Sequence, residues 1–328
     1  MGAKIGRIVE KTILSETSDH SPTITFFDGR LFIAWKGSGN DNLNVAFSQP
    51  LSDGVKPIFD LERKHISGET SDNGPTLAAH RGALFIGWKG SGNDNLNVAE
   101  VELRDLGGGN VEIVGIVNKL ILSDTSSEAP ALASHDGKLF IAWKGSGNDN
   151  LNLMYSELFP PVSFRTDLKH ISQETSDAAP ALASHRGKLF IGWKGTDFPP
   201  SLNSAEVQFS PDGKRIAVFA PKQVLPGMDS GHGPAMLSYG ERDIFGGGVQ
   251  SSLFMACHPG ADGGLTIAAS DSGVDFKPPT GPDRETSDLA PALSSSTTGP
   301  FDPGDLFIAW KGSGNENLNV ARVEATVT

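Results

Sequence analysis

A chain of 328 residues with 38% hydrophobic and 20% charged residues can bury a substantial core, which excludes an intrinsically disordered protein. Its formal net charge is -12 and its basic residues never form a run, so nucleic acid and membrane insertion are excluded as modes of action, and no apolar stretch approaches the length of a membrane span. The single cysteine, Cys257, excludes an internal disulfide framework.

The opening MGAKIGRIVEKTIL has neither the apolar core nor the cleavage site of a signal peptide, so the expected location is cytoplasmic, with any export by a non-classical route. GRIVEKTILSETSD then reads as a lone strand. Six units follow, starting at Pro22, Pro75, Pro130, Pro180, Pro234 and Pro291, with spacings of 53, 55, 50, 54 and 57 residues, a period of propellers and solenoids. Within the second unit, PTLAAH, the turn RG, ALFIGW, a polar loop, LNVAEV and a last run after a variable loop predict four short antiparallel strands. ALFIGW is apolar throughout, as expected of a sheet covered on both faces. The sixth unit stops at its third strand, so the N-terminal strand is expected to supply the fourth and remove the exposed edges of an open array. The predicted fold is all-β: one six-bladed β-propeller over residues 1–328, four antiparallel strands per blade, closed by the N-terminal strand.

These units resemble the repeats of bacterial sialidase-like propellers with Asp-box hairpins, of which SDGVKPIF from Ser52, SPDGKRI from Ser210 and SDSGVDF from Ser270 are counterparts. They are also similar to six-bladed lectin propellers. The resemblance implies a propeller and a carbohydrate ligand. The arginine triad and tyrosine–glutamate nucleophile of sialidases have no counterpart, Tyr155 and Tyr239 being the two tyrosines.

In a four-strand meander the second turn and the link between units share a face. That face carries the repeated chemistry: GSGNDN from Gly37, Gly90 and Gly145, GSGNEN from Gly312, and ETSD from Glu16, Glu69, Glu174 and Glu285, with DTSS from Asp124. Units four and five depart, with GTDFPPSLN and HPGADGGLT. Lys36, Lys89, Lys144, Lys194 and Lys311 accompany Glu16, Glu69, Asp124, Glu174 and Glu285, and both charges vanish in unit five, at His258 and Met228. An ion pair inside each blade is the expected reason. Ser18 and its equivalents are expected to bond the turn before each proline.

The candidate ligand residues are Trp35, Asn40, Asp41, Trp88, Asn93, Asp94, Trp143, Asn148, Asp149, Trp310, Asn315 and Glu316. Short amide and carboxylate side chains suit vicinal hydroxyls, and an indole suits the apolar face of a sugar ring, while inter-blade packing and turn bonding are the structural alternatives for the same residues. One carboxylate per loop is too few for calcium. His80, His135 and His185 end first strands as an aromatic shelf, with no metal or other cofactor expected. Three functions follow: a multivalent carbohydrate-binding propeller with a glycan or glycoprotein partner, a scaffold docking a protein partner, and a hydrolase drawing on unit five, where Cys257, His232 and His258 lie. The first is the expected one, and the balance is against an enzyme, because no acid–base pair or triad matches.

Overall fold

The computed structural model describes every residue except 1–2, 53–54, 63, 159–161, 199, 244–247, 259–263, 279–284, 297–303 and 328. Tight turns set the local register. At Asp28–Gly29, Arg81–Gly82, Asp136–Gly137 and Arg186–Gly187 both residues have positive φ, the two-residue hairpin turn whose twist matches its strands. Thr23–Phe27 therefore pairs with Arg30–Lys36, Thr76–His80 with Ala83–Lys89, Ala131–His135 with Lys138–Lys144, and Ala181–His185 with Lys188–Lys194.

A third strand completes the meander in each of these blades: Asn42–Phe47, Asn95–Gly107, Asn150–Leu158 and Ser201–Phe209. The outer edge is His65–Thr70 in blade 1, Asn110–Thr125 in blade 2, His170–Thr175 in blade 3 and Gln223–Asp229 in blade 4, the last two sharing that edge with Ser163–Phe164 and Ile216–Phe219. Among the described residues blade 5 has three strands, Ala235–Asp243, Gly248–Cys257 and Thr266–Ser270, with an isolated antiparallel bridge between Gly264 and Thr286 at the outer edge. Blade 6 contains Ala292–Ser295, Leu306–Lys311 and Asn317–Val327, with Ala3–Thr17 at its edge; Ala3 lies opposite Val327, Thr12 opposite Val320 and Thr17 opposite Asn317. The two ends of the chain thus close the ring, and the six first strands surround its axis.

The core lies between blades. Arg30–Lys36 is buried at every position because neighbouring sheets cover both its faces. Trp88 packs on Phe32, Leu43 and Val45 of blade 1, Trp143 on Phe85, Leu96 and Val98 of blade 2, and Trp193 on Phe140, Leu151 and Leu153 of blade 3. Across the seam, Trp35 packs on Phe307 and Leu318. Of the Asp-box counterparts, Ser210–Arg215 closes into a compact turn in which Asp212 Oδ1 accepts from Ser210 Oγ and from the Lys214 amide, while the copy at Ser52 includes Asp53 and Gly54, outside the described residues.

Candidate functional site

The repeated loop and the repeated link meet on one face. The Ser38 amide donates to Thr17 O, Ser91 to Thr70 O and Ser146 to Thr125 O, each at 3.2 Å. Many polar atoms of the loop are used inside this junction. Gly37, Gly90 and Gly312 lie against the side-chain oxygens of Asn40, Asn93 and Asn315, where an added Cβ would collide. The Asn40, Asn93, Asn148 and Asn315 oxygens accept from the amides two residues on, at 3.0–3.2 Å. The next asparagine reaches the outer strand: Asn95 donates to Leu122 O, Asn150 to Ser172 O and Asn317 to Leu14 O. Serine then joins neighbouring blades, with Ser91 Oγ donating to Asp41 Oδ2 at 2.9 Å and Ser38 Oγ to Glu316 across the seam. The Ser91 bond, then Lys36, holds the Asp41 carboxyl below its usual range.

The ion pairs expected between Lys36, Lys89, Lys144, Lys194, Lys311 and Glu16, Glu69, Asp124, Glu174, Glu285 are corrected by the structure. Each lysine does tie the end of the second strand to the entry of its own blade, but through the residue three positions after the glutamate: Lys36 to Asp19, Lys89 to Asp72, Lys194 to Asp177 and Lys311 to Asp288, at 2.5–3.0 Å. The loop aspartates Asp41 and Asp94 supply a second carboxylate to Lys36 and Lys89, and Asp149 pairs with Lys144. Burial alone would depress Lys89, but the hydrogen bonds it donates to Asp72 and Asp94 outweigh that and raise its pKa. The glutamate position ends the outer strand and faces the next blade, so it pairs with a different lysine: Glu16 with Lys64, Glu69 with Lys119, Asp124 with Lys169, Glu174 with Lys222 and Glu285 with Lys11. Lys11, Lys119 and Lys222 also lie over Trp310, Trp88 and Trp193, 5.1–5.7 Å from the ring centroid.

That roof of lysine decides the role of the tryptophans. Trp35, Trp88, Trp143 and Trp310 are 0–1% exposed, so none offers a face to a sugar; inter-blade packing is what they do. On the opposite face, His80, His135 and His185 reach Ser134, Ser184 and Ser238 of the next blade at 2.8 Å and stand near Phe85, Phe140 and Phe190. They are inter-blade fasteners.

The six links converge on the axis and line a cavity of about 440 Å³ on the loop-bearing face. Its floor is a ring of Ile24, Leu77, Leu132, Leu182, Met236 and Leu293, all buried, one from each first strand. The buried serine of every link, Ser18, Ser71, Ser126, Ser176, Ser230 and Ser287, accepts from and donates to the residue two positions on, which fixes that residue at the cavity wall. Close approach of adjacent links is enforced by small residues: a Cβ on Gly74 would overlap Ser21 O, and one on Gly233 would overlap Ala179 O.

Six equivalent wall positions thus carry His20, Asn73, Glu128, Ala178, His232 and Leu289. In an otherwise repetitive ring these six positions carry five different residue types. Apart from His232, which sequence considers only for a hydrolase, sequence analysis does not single them out; the signal was the position immediately after each ETSD-type string, where the copies disagree. Glu128 arises from a one-residue displacement. Blade 3 has Ser127 where the other links with a retained lysine have aspartate, and its carboxylate sits one place later, in the cavity. Lys144 takes Ser127 Oγ at 2.6 Å and Asp149 instead. Asn73 Nδ2 donates to Glu128 Oε2 at 3.2 Å. Burial pushes the Glu128 carboxyl above its usual range, with the Asn73 bond acting against that shift. Burial lowers His20 and His232, favouring neutral imidazoles.

Several solved structures share this architecture. An α-L-arabinanase of Penicillium chrysogenum complexed with arabinobiose aligns with 95% of this chain and 98% of its own at a TM-score of 0.56 and 15% identity. Aleuria aurantia lectin in complex with Fucα1-6GlcNAc aligns over 96% of both chains at a TM-score of 0.56 and 9% identity. A Trypanosoma rangeli sialidase aligns at a TM-score of 0.57 and 13% identity, over 96% of this chain and 58% of that one. The likeness is one of fold. No family profile and no curated protein matches the sequence.

Cys257, His232 and His258 of unit five are each placed by the structure. Cys257 occupies the tryptophan position, fully buried, and burial, with Asp229, pushes its thiol up to about 12, which leaves no thiolate near neutrality. The His232 and His258 rings lie 5.8 Å apart, and burial lowers both. Glu241 lies on a strand whose side chain there is outside the described residues.

Proposed function

We propose that this propeller binds carbohydrate, with the axial cavity as its principal site. The observation that carries this reading is the cavity wall: a repeated scaffold whose six equivalent positions present imidazole, amide and carboxyl groups on one arc, His20, Asn73 and Glu128, and alanine and leucine on the other, with His232 between them. Such a wall matches a sugar, which has hydroxyls on its edge and apolar C–H on its faces. A volume of about 440 Å³ suits a small saccharide. The kinship in fold with a lectin and with glycoside-cleaving propellers supports the same class of ligand.

The exposed Asn40, Asn93, Asn148 and Asn315 ring the same face and would give a longer glycan or glycoprotein a repeated set of weaker contacts. Binding without cleavage is the favoured mode, since among the described residues Glu128 is the one carboxylate lining the cavity and glycoside hydrolysis ordinarily uses two. A glycan array probed with the intact protein tests the proposal. Leu289→Trp, which fills the cavity from a half-buried wall position, should abolish the signal, whereas Ala at Asn40, Asn93, Asn148 and Asn315 together should keep it. Binding unaffected by Leu289→Trp would remove the cavity from the account.

A further inference from the structure

Glu128 differs from the other link carboxylates in its company. Asp19, Asp72, Asp177 and Asp288 each hold a lysine ammonium, and the outer acids Glu16, Glu69, Asp124, Glu174 and Glu285 hold another. Among the described residues Glu128 forms no salt bridge; its hydrogen-bond partner is the neutral Asn73. The nearest lysines by charge, Lys144 and Lys89, are committed to Asp149 and to Asp72 and Asp94. Among the described residues no lysine or arginine lines the cavity, and burial lowers the other titratable wall residues, His20 and His232, disfavouring their charged forms.

A half-buried carboxylate without a counter-ion is costly until a cation arrives, and far more so beside an anion. Resting on the carbohydrate reading above, we infer that the axial cavity selects amino sugars, whose protonated amine would pair with Glu128 beside Asn73, and rejects acidic sugars. The apolar floor of Leu77, Leu132 and Leu182 beneath that pair excludes water from one side, which strengthens a charge-assisted bond relative to one at the open rim.

Calorimetric titration of the intact protein compares a glucosamine disaccharide with its N-acetylated form, a glucuronic acid-containing disaccharide and butylamine. The free-amine disaccharide should bind at least about tenfold more tightly than the acetylated one, and the acidic sugar should not bind. Glu128→Gln, which preserves shape and a partner for Asn73, should erase the difference while leaving affinity for the acetylated sugar within about twofold; Asn73→Asp, which adds a second carboxylate, should widen it. Equal affinity for the free-amine and acetylated forms, or a preference that survives Glu128→Gln, overturns the inference and leaves the carbohydrate reading standing. Butylamine binding with no sugar binding overturns both.

Discussion

The rim of this propeller and its axis are built from the same links, yet within this one chain the first repeats its residues and the second varies them. At the rim, Ser, Asn, Asp and Lys recur because each is fixed by a partner: Lys89 sits between Asp72 and Asp94, Asn93 closes its own turn, and Ser91 reaches the loop before it. At the axis, one residue further along the link, the backbone is held by a buried serine and the side chain is left to vary, as His20, Asn73 and Glu128 show in three consecutive blades. Repetition therefore marks scaffold here, and divergence marks the candidate site. Changes at the rim should cost stability, and changes at the axis should cost binding.

The largest effect should come from the joints beneath the rim. Trp88→Ala leaves a cavity among Phe32, Val45 and Ile86 and should destabilise by about 3–5 kcal/mol, read as a fall in chemical-denaturation midpoint. A loss below about 1 kcal/mol would mean that the blades do not depend on these aromatics. Next comes Lys89→Ala. Its side chain is 6% exposed, but Asp72 and Asp94 are each 42% exposed, so solvent screens the two carboxylates left behind and about 1–2 kcal/mol is expected rather than the larger cost of a fully buried pair. Glu69→Ala should leave that pair intact, because Glu69 belongs to Lys119; equal losses for changes at Glu69 and Asp72 would restore the partnership expected from sequence.

Why that partnership was misread shows what the sequence made legible. The proline spacing, the all-apolar second strands and the incomplete sixth unit were sufficient for blade count and seam, since each follows from local pattern and closure. The pairing rested on joint loss of charge in blade 5, but that blade lacks both candidate acids, with Met228 at the glutamate position and Gly231 at the aspartate position, so the covariation could not separate them. Blade 3 pointed the wrong way, since it keeps Lys144 with Ser127 in place of the aspartate. Only the direction in which each side chain leaves the end of the outer strand separates the two acids. Tryptophan burial was open for a similar reason: the lysines that roof Trp88 and Trp310 come from outer strands whose register no motif announces. The wall positions were hidden because a search guided by repetition passes over the places where copies disagree.

Acid should weaken the joints on the other face. Burial depresses all eight histidines, including His80, His135 and His185 between blades. The unfolded chain takes up protons near pH 6.5, whereas the folded chain resists until lower pH. The stability contributed is therefore present above about pH 6.5 and lost as pH falls through the folded values. Denaturation midpoints should decline between pH 7.5 and 5.5, and His185→Asn should make that decline shallower. Glu128, shifted upward, contributes with the opposite sign, so Glu128→Gln should slightly steepen the decline. A midpoint that is flat across this interval would show that the histidines titrate freely.

The smallest effects sharpen the contrast most, because they compare the bonds of two asparagines twenty residues apart on one blade's link and loop. Asn93→Ala removes the acceptor for the Asn95 amide in an exposed turn and should cost about 0.5–1 kcal/mol with affinity for a small saccharide unchanged. Asn73 also bonds backbone, its oxygen accepting from the Gly74 amide at 2.8 Å, but its amide nitrogen faces Glu128. Glu128→Gln leaves the Gly74 bond in place and removes only the charge facing Asn73, so it should shift ligand preference with little change in midpoint. Melting curves and titrations on these two variants place rim and axis on separate readouts; if both changes moved the same one, the division of labour between repeated and divergent positions would not hold.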